Sequence, residues 1–156
     1  MYLKELEELD LTGNLIERIF GFELSNKLKI LRLSDNRISD MRGLEHLKEL
    51  RILKLDDNQI ERISGLDELI YLEQLYLSNN KIRKIEGLEN LNRLKVLFLD
   101  GNEISKIEGL GGLSDLRVLN LKGNPIPVDL LEELGGLNSD GFARFPEKFV
   151  EYCERA

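Results

Sequence analysis

Side chains suited to covalent or acid–base catalysis are scarce in this 156-residue sequence: one histidine, His46, one cysteine, Cys153, and no tryptophan. No nucleophile, base and oxyanion donor can be named together, so the chain reads as non-catalytic. His46 stands between Leu44 and Leu47, far from a second histidine or cysteine. A zinc site needs several convergent ligands, so neither metal nor cofactor is expected. Side chains suited to recognition are ordered instead. Arg32, Lys54, Tyr76, Phe98 and Asn120 stand 22 residues apart. Ile30, Ile52, Gln74, Val96 and Val118 repeat that spacing two positions earlier, and Ser34, Asp56, Ser78, Asp100 and Lys122 two positions later. If the spacing brings each series together, a basic pair lies beside an aromatic pair, bordered by carboxylates and by apolar β-branched residues. Such a cluster has the character of a binding hot spot. The competing explanation is that β-branched and aromatic residues favour strands for packing reasons alone.

The elements that must position these residues follow from the same period. Asn14, Asn36, Asn58, Asn80, Asn102 and Asn124 recur every 22 residues without insertion or deletion. Each follows one leucine frame, of which Leu6-Leu9-Leu11 is the first, Leu50-Leu53-Leu55 the third and Leu116-Leu119-Leu121 the last. Isoleucine follows each asparagine by two, and a glycine column stands at Gly21, Gly43, Gly65, Gly87 and Gly109. The x-L-x-L-x segment alternates as a strand does, with leucines inward and the three recognition series outward. One repeat cannot bury its leucines alone, so stacking of neighbours supplies the core. The asparagine amide is placed to bond the backbone of its own and the adjacent coil. Glycine permits the excursion that starts the next turn. About 11 residues remain for the return side, which predicts loops and short 3-10 turns there. A coiled coil fails on period, since heptads require 3.5-residue spacing.

The pattern L-x-x-L-x-L-x-x-N-x-I-x-x-I-x-G-L-x-x-L, over residues 3 to 127, resembles the leucine-rich repeat family. Its 22-residue length is similar to the subclass typified by a regulatory subunit of protein phosphatase 1. The resemblance implies an α/β repeat solenoid: a right-handed curved array with a parallel β-sheet on the concave face, loops or 3-10 turns on the convex face, and binding of other proteins. A phosphatase is one partner the resemblance suggests, with no contact residues carried over. On this reading residues 1–127 hold six repeats and residues 128–156 a C-terminal helical cap. The concave binding set is Ile30, Arg32, Ile52, Lys54, Asp56, Tyr76, Val96, Phe98, Asp100, Val118, Asn120 and Lys122. Six strands at about 4.8 Å give a face about 24 Å long, large enough for one side of a standard protein interface.

The ends depart from the pattern. Prolines 125 and 127 stop the last coil. Val128 to Leu134 carries leucines at helical spacing, and Phe145 to Arg155 reads as a second helix with Pro146 in its first turn. Phe145, Phe149, Val150 and Cys153 fall near one face and are expected to be core. At the other end only five residues precede Leu6, and Ser25 replaces the leucine of later repeats, with Leu24 expected to compensate. The uncovered strand edge suggests end-to-end self-association, or a place within a longer array.

Composition narrows the class. Leucine fills 33 positions and alanine two, against an ordinary helical bundle. Net charge is −7, which disfavours direct binding to nucleic acid or an anionic membrane. The charged N-terminal residues lack an apolar signal-peptide core and a lone cysteine forms no internal disulfide, so a cytoplasmic setting is expected. The leading expectation is a non-catalytic module that binds a protein or peptide through its concave face. A structural, self-assembling or engineered scaffold is the alternative, as is a domain excised from a larger signalling protein.

Overall fold

A computed structural model describes residues 3–156; Met1 and Tyr2, part of the charged N-terminal segment read above, lie outside the described residues. Six strands of three residues each form one parallel sheet in chain order: β1 Glu8–Asp10, β2 Ile30–Arg32, β3 Ile52–Lys54, β4 Gln74–Tyr76, β5 Val96–Phe98 and β6 Val118–Asn120. The register advances by one repeat at every step, with Leu31 opposite Leu53 and Leu53 opposite Leu75. From β2 to β6 each strand buries its central leucine, while Leu9 of β1 is half-buried, and the residues on either side belong to the other face, as alternation requires. From Leu28 to Leu121 every leucine of the frames is buried, and with the isoleucines of the return side they make one continuous core. Each such leucine is worth about 1.5–3 kcal/mol relative to exposure.

The asparagines tie neighbouring coils together. Asn58 donates its amide to the carbonyls of Leu33 at 3.0 Å and Leu55 at 3.1 Å, and its Oδ1 accepts the N–H of Ile38 at 2.9 Å. Asn36, Asn80 and Asn102 repeat the arrangement. Groups at the turn that no strand partner reaches are thereby satisfied. Return segments are loops with consecutive i+3 bonds, such as Leu47 to Leu44 at 2.9 Å and Leu50 to Leu47 at 3.0 Å. The glycine column does more than free the backbone: at Gly109, with φ +69°, a side chain would collide with the Ile85 carbonyl of the preceding coil.

The C-terminal segment adds two helices, α1 Val128–Glu133 and α2 Pro146–Arg155. Phe149 and Val150 are buried against the last coil, and Leu134 joins the same core. Phe145 departs from expectation: it precedes α2 in extended backbone and is 45% exposed, with Lys148 Nζ 4.8 Å from its ring centroid. Cys153 is half-buried rather than buried. Between the helices, residues 138–143 fold back onto β6. Leu121 N–H donates to Gly141 at 3.0 Å, Ala143 N–H donates to Leu119 at 2.8 Å, and Asn120 pairs with Phe142 in antiparallel sense. The C-terminal edge of the sheet is thus occupied by the chain itself. At the other end Ser25 is buried, its N–H bonded to Phe22, and Leu24 is exposed, so Leu24 does not replace the missing leucine. Among the described residues no helix is long and apolar enough to cross a membrane.

Candidate functional site

Strand register sets the three recognition series side by side. Arg32, Lys54, Tyr76 and Phe98 are consecutive neighbours across β2 to β5. Each is half-buried. The Tyr76 and Phe98 rings stack with centroids 5.0 Å apart at 27°. Lys54 Nζ lies 4.8 Å from the Tyr76 centroid. The stack therefore engages ring faces within the protein and leaves a ridge of ring edges for a partner, a surface suited to apolar and aromatic groups. Arg32 is ion-paired with Glu8.

On one flank Ile30, Ile52, Val96 and Val118 form an apolar column, half-buried and broken by Gln74. Gln74 Oε1 accepts the Tyr76 hydroxyl at 3.0 Å, which fixes the tilt of the ring. On the other flank the polar column is cross-linked. Ser34 Oγ donates to Asp56 at 3.3 Å, Ser78 N–H donates to Asp56 at 3.0 Å, and Ser78 Oγ donates to Asp100 at 2.6 Å. Burial pushes the Asp56 carboxyl above its ordinary range, against the pull of these hydrogen bonds. Burial, and then the Asp56 charge, push the Tyr76 phenol up, so it stays a neutral donor.

Two expected site residues contact the C-terminal segment. Asn120 is buried beneath the 138–143 segment, donates to the Asp140 carbonyl at 3.4 Å and accepts the Lys122 N–H at 3.1 Å. Lys122 is exposed, with Nζ donating to the Ser139 carbonyl at 3.2 Å. Asn120 is thus covered by the cap, while Lys122 stays exposed beside it. One residue was missed: Phe142, whose ring meets Phe98 edge to face at 5.5 Å and extends the aromatic ridge. A signal existed, because Phe142 continues the series 54, 76, 98, 120 by one more step of 22.

Nothing in this arrangement couples a nucleophile to a base. Among the described residues no group of three or more His, Cys, Asp or Glu could hold a metal ion. A surface depression lies away from the sheet, beside Asp40, Arg42, Arg62 and Glu86, and is an open shelf where Arg42 pairs with Asp40 and Arg62 with Glu86.

A family model described as Leucine Rich repeats (2 copies) matches residues 26–68, 70–112 and 92–137. The chain is a leucine-rich repeat protein. Among solved structures, an internalin C2 from Listeria monocytogenes is 30% identical with a TM-score of 0.72, over 76% of this chain and 53% of that one. The leucine-rich repeat domain of APL1B shares the fold at 24% identity and a TM-score of 0.71, over 76% and 38% of the two chains. The structure of a TLR13–ssRNA13 complex matches at 26% identity and a TM-score of 0.73, over 78% of this chain and 18% of that one. The leucine-rich repeat chain thus spans about half the internalin it resembles and a smaller share of the other two. No curated protein matches it.

Proposed function

We propose that this leucine-rich repeat chain is a non-catalytic module that binds a protein or peptide through its concave sheet face. The observation that carries this reading is the Tyr76–Phe98–Phe142 ridge lying beside Ile52, Val96 and Val118 on an outward face. A contiguous apolar surface of this kind, bordered by Arg32, Lys54, Asp56 and Asp100, has the makeup of a hot spot inside a polar rim. Pure strand packing accounts for the β-branched residues, but not for a third ring delivered onto the ridge from outside the repeats. The interacting set is Ile30, Arg32, Ile52, Lys54, Asp56, Tyr76, Val96, Phe98 and Asp100, with Val118 and Phe142 at its C-terminal border.

The resemblance of the 22-residue period to the phosphatase-regulator subclass supports a phosphatase as one candidate partner. The net charge of −7 speaks against a bare RNA ligand of the kind named for the TLR13 complex. The half-buried lone Cys153 fits a cytoplasmic setting. Affinity capture with wild type and the Tyr76→Ala/Phe98→Ala double variant in parallel tests the proposal. Both side chains are half-buried on the surface, so the variant keeps its fold, as a thermal melt checks, and loses the prey. Equal capture by the two proteins removes the ridge from the account.

A further inference from the structure

What can lie on the ridge is narrowed by what the ridge does not offer. β2 to β5 each have a paired strand on both sides, so their main-chain groups are taken up within the sheet. The outward face presents side chains alone. Along its middle these are apolar: Tyr76 and Phe98 on the ridge, with Ile52, Val96 and Val118 in the column beside them. An extended peptide laid on this strip sets unpaired N–H and C=O groups against hydrocarbon, with no partner beneath them. A helix satisfies its main chain internally and offers an apolar stripe. The dimensions agree. Columns two residues apart on a strand are separated by about 7 Å, and a helix is about 10 Å across. Helical turns advance about 5.4 Å, close to the strand spacing of about 4.8 Å, so successive turns fall over successive coils. The strip from β2 to β6 is about 19 Å long, the length of about 13 helical residues.

The two sides of the strip differ in charge. Beyond the apolar column stand Arg51, Lys95 and Arg117, all exposed. Arg51 and Lys95 share one carboxylate, Glu73, at 3.0 Å and 2.8 Å, and Arg117 donates to the Leu116 carbonyl at 3.3 Å. That side therefore keeps positive charge. On the other side are Asp56, Asp57 and Asp100. Their hydrogen-bond donors are neutral: Ser34 and Ser78 for Asp56, Asn79 for Asp57 and Ser78 for Asp100. Among the described residues no lysine or arginine pairs with them. Elsewhere the array neutralises carboxylates between neighbouring coils, as Arg62 does for Glu86 and Arg83 for Glu103.

We propose that the partner lays an amphipathic helix along the array on this strip. Its carboxylates face Arg51, Lys95 and Arg117, and its lysines or arginines face Asp56, Asp57 and Asp100. The inference rests on the ridge being the binding face and adds the class of element that the face takes. Apolar contact supplies affinity. The opposed flanks supply selection, and also direction, because reversing a helix end for end exchanges its flanks.

The probe is the synthetic peptide LEKLLEKLEAKLEKL, which as a helix carries a leucine stripe with glutamates on one flank and lysines on the other. Three relatives accompany it: both flanks glutamate, both flanks lysine, and the central leucine replaced by proline. Each labelled peptide is titrated with the whole chain by fluorescence anisotropy at physiological salt. The mixed peptide binds saturably, at least about fivefold more tightly than either single-sign peptide. It binds at least about tenfold more tightly than the proline peptide. The lysine peptide is the demanding control, because the net charge of −7 attracts it to the whole surface. Arg51→Glu/Arg117→Glu, at two exposed positions, lowers the affinity for the mixed peptide about fivefold with an unchanged melt.

Equal binding of the proline peptide assigns the face to an extended segment. Equal binding of the lysine peptide, or an undiminished Arg51→Glu/Arg117→Glu protein, removes the flanks. Each of these results overturns the helix and leaves the ridge in place, as does a mixed peptide that does not bind. A concentration-dependent dimer that the mixed peptide dissociates gives the face to a second copy and overturns the partner helix. Full binding of the mixed peptide to Tyr76→Ala/Phe98→Ala removes the ridge, and this inference with it.

Discussion

At the C-terminal end of the array the last coil exchanges hydrogen bonds with residues 141–143, and Phe149 and Val150 join the buried core. At the N-terminal end Leu6, Leu9 and Leu11 are half-buried, and the outer groups of β1 have no partner among the described residues. Both ends use the same leucine frame and the same asparagine. The difference teaches that a repeat's sequence sets its shape, while its stability depends on what lies next to it. It also separates two kinds of surface. Asn120 sits on the sheet yet is buried by the C-terminal segment, whereas among the described residues Glu7 and Glu8 find their ion-pair partners only on the second coil.

The comparison is broken or sharpened by matched substitutions at the two ends. Phe149→Ala removes a fully buried ring and costs about 3–5 kcal/mol in denaturant unfolding. Leu9→Ala, at the half-buried end, costs about 1–2 kcal/mol in the same assay; equal costs would mean that the first coil is as sealed as the last. Next in size is the asparagine pair. Asn58→Ala strands buried carbonyls and the Ile38 N–H, for about 2–3 kcal/mol. Asn14→Ala costs under about 1 kcal/mol, since its amide bonds only its own coil, at Leu11 and Thr12.

The smallest effect comes from the middle of the sheet and depends on pH. Burial raises the Asp56 carboxyl, so the folded chain holds that proton more tightly than the unfolded chain. The favourable contribution is present below the unfolded value, about 4, and is lost as pH rises through the raised folded value. Wild type therefore loses stability relative to Asp56→Asn across that window. A gap between the two proteins that does not change with pH contradicts the burial argument.

Much of this was legible in the residues. Strand positions, register, the asparagine ladder and the inward leucines all follow from one period, because the repeat allows only one stacking. What escaped lies where the period stops. Phe145 looked like core by helical spacing, but α2 begins at Pro146 and leaves it in extended backbone. Asn120 fits its column, but a tertiary return of the chain buries it, and no local pattern announces an antiparallel pairing over Gly141. One column was overlooked though readable: Gly13, Asp35, Asp57, Asn79, Gly101 and Gly123 all adopt positive φ, and the choice of Gly, Asp or Asn at each is the mark of that conformation.

The account rests on a last coil with more partners than the first among the described residues, and native-state hydrogen exchange resolved by residue tests this most directly. Amides of Leu99, Val118, Leu121 and Ala143 are predicted to exchange slowest, near the global unfolding limit, while Glu8, Leu11 and Gly13 exchange through local opening. Equal protection at the two ends would contradict it.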